Sequence, residues 1–126
     1  VKKAIAAIPG LILGAIYSMP TLLWGLLGLQ VVDFATGFLV AWSTGAVSSD
    51  VSRKGFVKKT VALLLIVALQ IAESVHPMPV ELSAYVAGWF CLTELISIVE
   101  NCGKAGLPLP SKLTKVLAQI QDDATK

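Results

Sequence analysis

The sequence predicts an all-helical, polytopic membrane protein with four transmembrane helices and a cytoplasmic amphipathic tail helix. Three observations carry that expectation. The 126-residue chain is 56% hydrophobic and 14% charged, with mean hydropathy +0.79, whereas soluble domains carry about 25% charged residues. The charges are unevenly placed: Asp33 is the one charged residue between Lys3 and Asp50, and the stretch between Lys59 and Lys104 holds glutamates alone. Finally, four apolar runs are separated by turn-forming or charged connectors, the pattern of spans joined by loops. The length suits one domain, read as a helical membrane domain over residues 1–103 and a basic cytoplasmic tail over residues 104–126.

The runs are taken in order. Residues 4–18, AIAAIPGLILGAIYS, are short for a span and contain Pro9 and Gly10. Lys2 and Lys3 before them imitate the start of a secretory leader, but Tyr17, Met19 and Pro20 stand where small residues would mark a cleavage site, so the segment reads as the first arm of a membrane hairpin. Met19-Pro20 turns the chain into the second run, residues 21–42, because the residue before proline disfavours helix. The third span is placed at residues 57–74, full length only if Lys58 and Lys59 snorkel towards head groups. Its approach, STGAVSSDVSRKGFVKK, reads as a polar loop with a short helix capped at Ser48, Ser49 or Asp50. HPMPV makes a tight turn into the fourth span, residues 80–99. After Asn101, CGKAGLPLP breaks the helix, and SKLTKVLAQIQ restarts one with Leu113, Val116, Leu117 and Ile120 on one face. The final DDATK reads as a frayed end.

Charge placement predicts orientation. Lys2 and Lys3, then Arg53, Lys54, Lys58 and Lys59, then Lys104, Lys112, Lys115 and Lys126 alternate with two short turns that lack Lys and Arg. Four spans with both termini in the cytoplasm place every basic residue on the inner side.

No constellation of an enzyme is present. His76 is the only histidine, no zinc spacing accompanies it, and neither a G-x-S-x-G elbow nor a phosphate loop occurs. A net charge of +2 is too small to imply nucleic acid, and the basic residues sit beside apolar spans, where lipid head groups are their neighbours. Cys91 and Cys102 on one helix stand about 16 Å apart, too far for a disulfide. No cofactor or metal is expected.

The costly residues are acids inside spans. Glu73 and Glu81 lie near span ends, but Asp33 and Glu94 lie several residues inside, where an acid costs about 2.5–3.5 kcal/mol. At about 100° per residue, Thr93, Glu94, Ser97, Glu100 and Asn101 share one sector of the fourth span. Gln30, Asp33, Gly37, Ala41 and Thr44 share a face of the second. Small residues beside polar ones let helices approach and bond across the gap; Gly10 with Gly14, and Ala84 with Gly88, offer further close-approach faces. On the residues alone two readings stay open. Either a Lys or Arg of the inner loop, or a shared hydrogen bond, fixes Asp33 and Glu94 and holds the bundle together, or these faces line a wet path or a subunit contact.

The order of motifs resembles the toxin-secretion/phage-lysis holins, the family of phi29-like phage holins and of clostridial toxin-export proteins. DFATG supplies D-x-x-T-G at Asp33, Thr36 and Gly37. Ala41, Ser48-Ser49, Gly55 and Lys58-Lys59 follow. ELISIVEN supplies E-x-x-S-I-x-E-N at Glu94, Ser97, Ile98, Glu100 and Asn101, and GLPLP supplies Gly106, Pro108 and Pro110. The resemblance covers about residues 29–117 and leaves the first 20 residues unmatched. It implies a phage or prophage protein of the bacterial cytoplasmic membrane that homo-oligomerises in the bilayer. The resulting lesions collapse the membrane potential and release an endolysin, or in some relatives export a toxin. The endolysin is then a passenger, and an antiholin is the further partner such a system can contain. Two other classes fit the residues: a small ion or proton channel or transporter whose acids carry ions, and a non-conducting scaffold or antiholin whose basic segments recruit a partner.

Overall fold

The structure, a computed structural model, describes residues 1–18 and 21–125, with side chains described for residues 1–10 and 21–123. Among the described residues there are five helices and no strand: α1 (Lys2–Ser18), α2 (Thr21–Ser43), α3 (Ser49–Val75), α4 (Leu82–Lys104) and α5 (Ser111–Thr125). Helices suit so apolar a chain because each satisfies its backbone polar groups internally, which lipid cannot do for them.

Three helices are long and apolar enough to cross a bilayer: α2 and α4 with 23 residues each, and α3 with 27. At about 1.5 Å per residue they measure roughly 34–40 Å, against a hydrocarbon core of about 30 Å. The 17 residues of α1 measure about 26 Å, and Lys2 and Lys3 are part of that length. Residues 1–10 are exposed, and nothing lies within 4 Å of the position a Cβ on Gly10 would take. Among the described residues α1 packs on no other helix. The surroundings of Gly14 and the Met19-Pro20 turn lie outside the described residues.

Several boundaries differ from the sequence reading. The expected polar loop before the third span is mostly helix: α3 starts at Ser49 and runs unbroken to Val75, leaving five residues, 44–48, as the connection. No proline interrupts this stretch, Asp50 sits in its first turn, where the helix dipole favours an acid, and Arg53 pairs with Asp50 at 3.0 Å one turn on. The fourth span is shifted, from the expected residues 80–99 to Leu82–Lys104. The tail helix continues through the expected frayed end to Thr125.

The two ends at the basic side of the bundle share one device. Gly45 (φ 71°) and Gly106 (φ 90°) adopt the left-handed conformation that glycine enters without a steric cost. At α2 the Ala46 N–H donates to the Ala41 carbonyl at 2.8 Å and the Gly45 N–H to Trp42 at 3.2 Å; at α4 Leu107 donates to Cys102 at 3.1 Å and Gly106 to Gly103 at 3.0 Å. Both are Schellman caps, which satisfy carbonyls a helix end would leave open.

α4 is the central element, packing against both α2 and α3, which touch one another less. The core between them is thin: Leu23 and Leu26 of α2, Ile66 of α3 and Ala87 of α4, with Leu63, Val67, Val86, Phe90 and Cys91 packed around them. Large apolar side chains such as Val31, Phe38, Leu64 and Tyr85 face outward, as lipid-facing positions do. At the end formed by the α3–α4 turn, Glu73 accepts from the Ser83 backbone N–H at 2.7 Å and from its hydroxyl at 2.6 Å. Glu81, in the N-cap position, makes no side-chain cap bond. A carboxylate on the neighbouring helix therefore caps α4, where the positive end of the dipole favours it.

Glu73→Ala is expected to lower the thermal unfolding midpoint of the detergent-solubilised protein, and more than Ser83→Ala does, because the serine variant keeps its backbone N–H bond. Equal midpoints for wild type and Glu73→Ala would show that the cap contributes nothing.

Candidate functional site

About one third of the way along α3 from its basic end, Lys59 turns inward. Its ammonium donates to Asp33 Oδ2 of α2 at 2.7 Å and also to Glu94 Oε2 of α4. The Lys59 side chain is 19% exposed and both acids are 13% exposed, so the pairs lie between helices and not on the surface. One cation thus ties three helices. The second acid leaves a surplus of negative charge, and neutral donors gather around it. The Asn101 amide on α4 donates to Asp33 Oδ1 at 3.0 Å, to the Asp33 carbonyl at 3.3 Å and to the Thr36 hydroxyl at 3.0 Å. Thr36 in turn donates to the carbonyls of Val32 and Asp33 on its own helix. One turn deeper, buried Gln30 donates from its amide to the Lys59 carbonyl at 3.2 Å. Among the described residues no buried side-chain nitrogen or oxygen lacks a partner, as a polar network inside an apolar bundle requires.

The helices place these groups by simple periodicity. Leu23, Leu26, Gln30, Asp33, Gly37 and Ala41 recur at three and four residues on the inner face of α2. On α4, Glu94, Ser97 and Asn101 follow the same rule. Gly37 leaves room for the contact: a Cβ there would lie 3.4 Å from the Asn101 amide nitrogen, and a larger side chain would press on it. The small side of α2 and the polar side of α4 meet at this point, as expected where polar groups bond across closely packed helices in lipid.

Beside the network an open cleft of ≈ 250 Å³ is lined by Asp33, Lys59, Ser97 and Asn101 at its polar side and by Phe38 and Val51 at its apolar side. The short connection contributes Ala46, Val47 and Ser48 to its lining. The described residues offer no group of three His, Cys, Asp or Glu placed to hold a metal. Cys91 and Cys102 are free thiols.

Of the residues singled out in the sequence, the structure brings together Asp33, Thr36, Gly37, Glu94, Ser97 and Asn101. Glu100 is exposed on α4 and stands apart. Ala41 is half-buried, whereas Thr44 is exposed and bonds back to carbonyls of its own helix. On α4 the buried small residues are Ser83 and Ala87, each one position before Ala84 and Gly88. Gly88 is exposed, with nothing within 4 Å of its Cβ position. Arg53, Lys54, Lys58, Lys104, Lys112 and Lys115 are exposed. Lys59, grouped with them in the sequence, is the exception, and it supplies the inner-loop cation that one of the two readings required.

One sequence pattern is consistent with the inward position of Lys59, without naming its partners. Lys59, Leu63, Ile66, Gln70 and Glu73 repeat at four and three residues and form the buried or half-buried stripe of α3. Lys58, one residue away, is turned about 100° from that stripe and is exposed.

A scan against protein families matches residues 11–122 to the bacteriophage holin family. This chain belongs to that family. An uncharacterised protein of Halalkalibacterium halodurans is 30% identical, covering 80% of this chain and 78% of its own. A protein of Clostridium perfringens encoded in the nagH 3' region is 29% identical over 72% and 70% of the two chains. A probable holin of Bacillus phage phi105 is 24% identical over 78% and 73%. No solved structure matches the chain. The family resemblance drawn from D-x-x-T-G and E-x-x-S-I-x-E-N is thus borne out, and in this holin-family protein the two motifs meet: Asp33, Thr36 and Gly37 of the first contact Asn101 of the second.

Lys59→Met is expected to destabilise the bundle by about 3 kcal/mol or more, because it strands two acids without a cation. The triple variant Lys59→Met, Asp33→Asn, Glu94→Gln should recover much of that loss. Thermal unfolding in detergent measures both, and equal stability of the single and triple variants would remove the network from the account. Gly37→Val should push Asn101 away from Asp33 and lower the unfolding midpoint, whereas Gly88→Val, with open space at its Cβ, should leave it unchanged.

Proposed function

We propose that this protein is a phage holin that homo-oligomerises in the bacterial cytoplasmic membrane. Its lesions release an endolysin for host lysis or let a toxin pass. The observation that carries the reading is the thinness of the bundle in a chain of this family: the three spans close on a four-residue apolar core and a saturated polar network, while their outer faces stay apolar. The clefts on a single copy are small, ≈ 250 Å³ beside the polar network, so a hole wide enough for an enzyme takes many copies. The same apolar faces that meet lipid in the single copy are available to neighbouring copies, and small exposed positions such as Gly88 let helices approach closely.

In this reading α1 is a fourth, short span, both termini are cytoplasmic, and residues 104–126 form a cytoplasmic tail. The positive-inside pattern supports it, because every Lys and Arg then faces the cytoplasm. The polar network lies in the cytoplasmic half. Asp33, Lys59, Glu94 and Asn101 hold the helices in the packing of the single copy, and assembly starts from that packed state. Any antiholin would act on the same equilibrium.

Inducible expression in a bacterium that also makes an endolysin lacking its own export signal tests the proposal. Abrupt growth arrest with enzyme release is expected. Gradual, ion-specific leakage without release would point to a channel or transporter, and no effect to a scaffold or antiholin. Asp33→Asn and Glu94→Gln are expected to shift the onset of lysis and the cross-linked ladder; unchanged timing and ladders would exclude a part for the network in assembly. Cysteine labelling of intact cells checks the topology, with residue 3 and residue 115 expected to be inaccessible from outside and residue 77 accessible.

A further inference from the structure

The tail helix carries charge in an order that works against itself. Lys112 and Lys115 lie near the N-terminus of α5, and Asp122 and Asp123 near its C-terminus. Each sign therefore stands at the end of the helix whose dipole disfavours it. The apolar side of the helix is also incompletely covered. Leu117 is buried at 8% exposure, but Leu113, Val116 and Ile120 are 40%, 43% and 44% exposed. At about 100° per residue those three lie within about 60° of one another, and Lys112 and Asp123 lie about 20° apart along one flank of the stripe.

We infer that α5 pairs with α5 of a second copy of this chain, antiparallel, through Leu113, Val116 and Ile120. An antiparallel copy corrects each of the features above. It sets Leu113 against the partner's Ile120 and Val116 against the partner's Val116. It brings Lys112 of each copy towards Asp123 of the other, since the same flank meets itself across the two-fold axis. It also places the lysine end of each helix beside the acidic, dipole-negative end of its neighbour. A lipid surface does not achieve this. The two lysines and two aspartates of α5 leave it without net charge, so an anionic bilayer that attracts one end repels the other. A parallel copy would gather the lysines of both helices at one end and the aspartates at the other, and would align the two helix dipoles.

The membrane makes the geometry specific. Two copies inserted the same way round are related by an axis along the bilayer normal, so their tail helices run antiparallel only if both lie along the membrane plane. The connection after Gly106, with Pro108 and Pro110, turns the chain away from α4 and permits that. A pair of 15-residue helices is marginal in free solution, and confinement to one membrane raises its effective concentration. The inference rests on the homo-oligomer reading only in placing two copies in one bilayer.

Disulfide cross-linking of the full chain in membranes tests it, in a background with Cys91→Ala and Cys102→Ser. Copies bearing Leu113→Cys and Ile120→Cys, each with its own tag, are co-expressed and oxidised before the onset of lysis. The mixed product is expected to exceed both self-linked products. Lys112→Asp should lower the mixed product about fivefold, and Asp123→Lys added to it should restore the yield. Dominance of self-linked products would overturn the pairing in favour of a parallel arrangement. So would uniform, weak cross-linking with residue 113 shielded from a water-soluble maleimide by lipid, which would mean that α5 lies on the bilayer alone. Enzyme release is scored separately: cross-linking without release would sink the holin reading and leave the pairing standing, and release without the mixed product would do the reverse.

Discussion

Lys59 enters the bundle about 15 Å from the start of α3, at about 1.5 Å per residue, and meets Asp33 and Glu94 there. In surroundings of low dielectric neither acid is tolerable alone, and neither is the lysine. Each charge therefore needs the helices that carry the others, and α2, α3 and α4 are held to a single register. The hydrophobic effect gives little help with that register, because lipid tails are as apolar as the side chains they would replace, which leaves close packing and bonds across the helix contacts to set it. The one cation does not neutralise both acids, and the Asn101 amide adds a donor to Asp33; the Gln30 amide separately ties α2 to α3 through the Lys59 carbonyl. Gly37 belongs to the same arrangement, since a larger residue there would hold Asn101 off.

The remainder of the bundle is organised around that layer. Beyond it towards the α3–α4 turn lie the few apolar residues of the core, and beyond those the Glu73 cap on α4. In the other direction α2 and α4 both end at glycines in the left-handed conformation, so the chain leaves the bundle abruptly on the side where the basic residues collect. Polar specificity at two levels and little apolar burial between them make a unit whose helices are correctly paired but whose outer surface stays free.

Membership of the bacteriophage holin family rests on the match over residues 11–122, and it gives the network a setting. The two motifs by which the chain resembles its family, separated by about sixty residues in sequence, are the two sides of one contact between α2 and α4. A motif pair of this kind reads as a constraint on the pairing of helices. No catalytic arrangement is needed to account for it.

The sequence by itself determined the class of the protein. Few charges, long apolar runs and proline or glycine connectors dictate membrane helices, and the cost of an acid in lipid singles out Asp33 and Glu94 as residues that need a partner. It also determined the inner face of α2, because a repeat of three and four residues is visible in any helix. Only the tertiary structure decided which partner those acids take. Lys58 and Lys59 are equivalent in composition and in distance from the apolar run, and they differ by about 100° of rotation on α3, which has a consequence only once α3 is placed against α2 and α4. The same holds for Glu73, an ordinary acid near a helix end until α4 starts beside it, and for the length of α3, whose polar first third looked like loop. Charge pattern and periodicity are properties of one segment, whereas an ion pair or a remote cap is a property of two, and the distance between two segments is set by the fold.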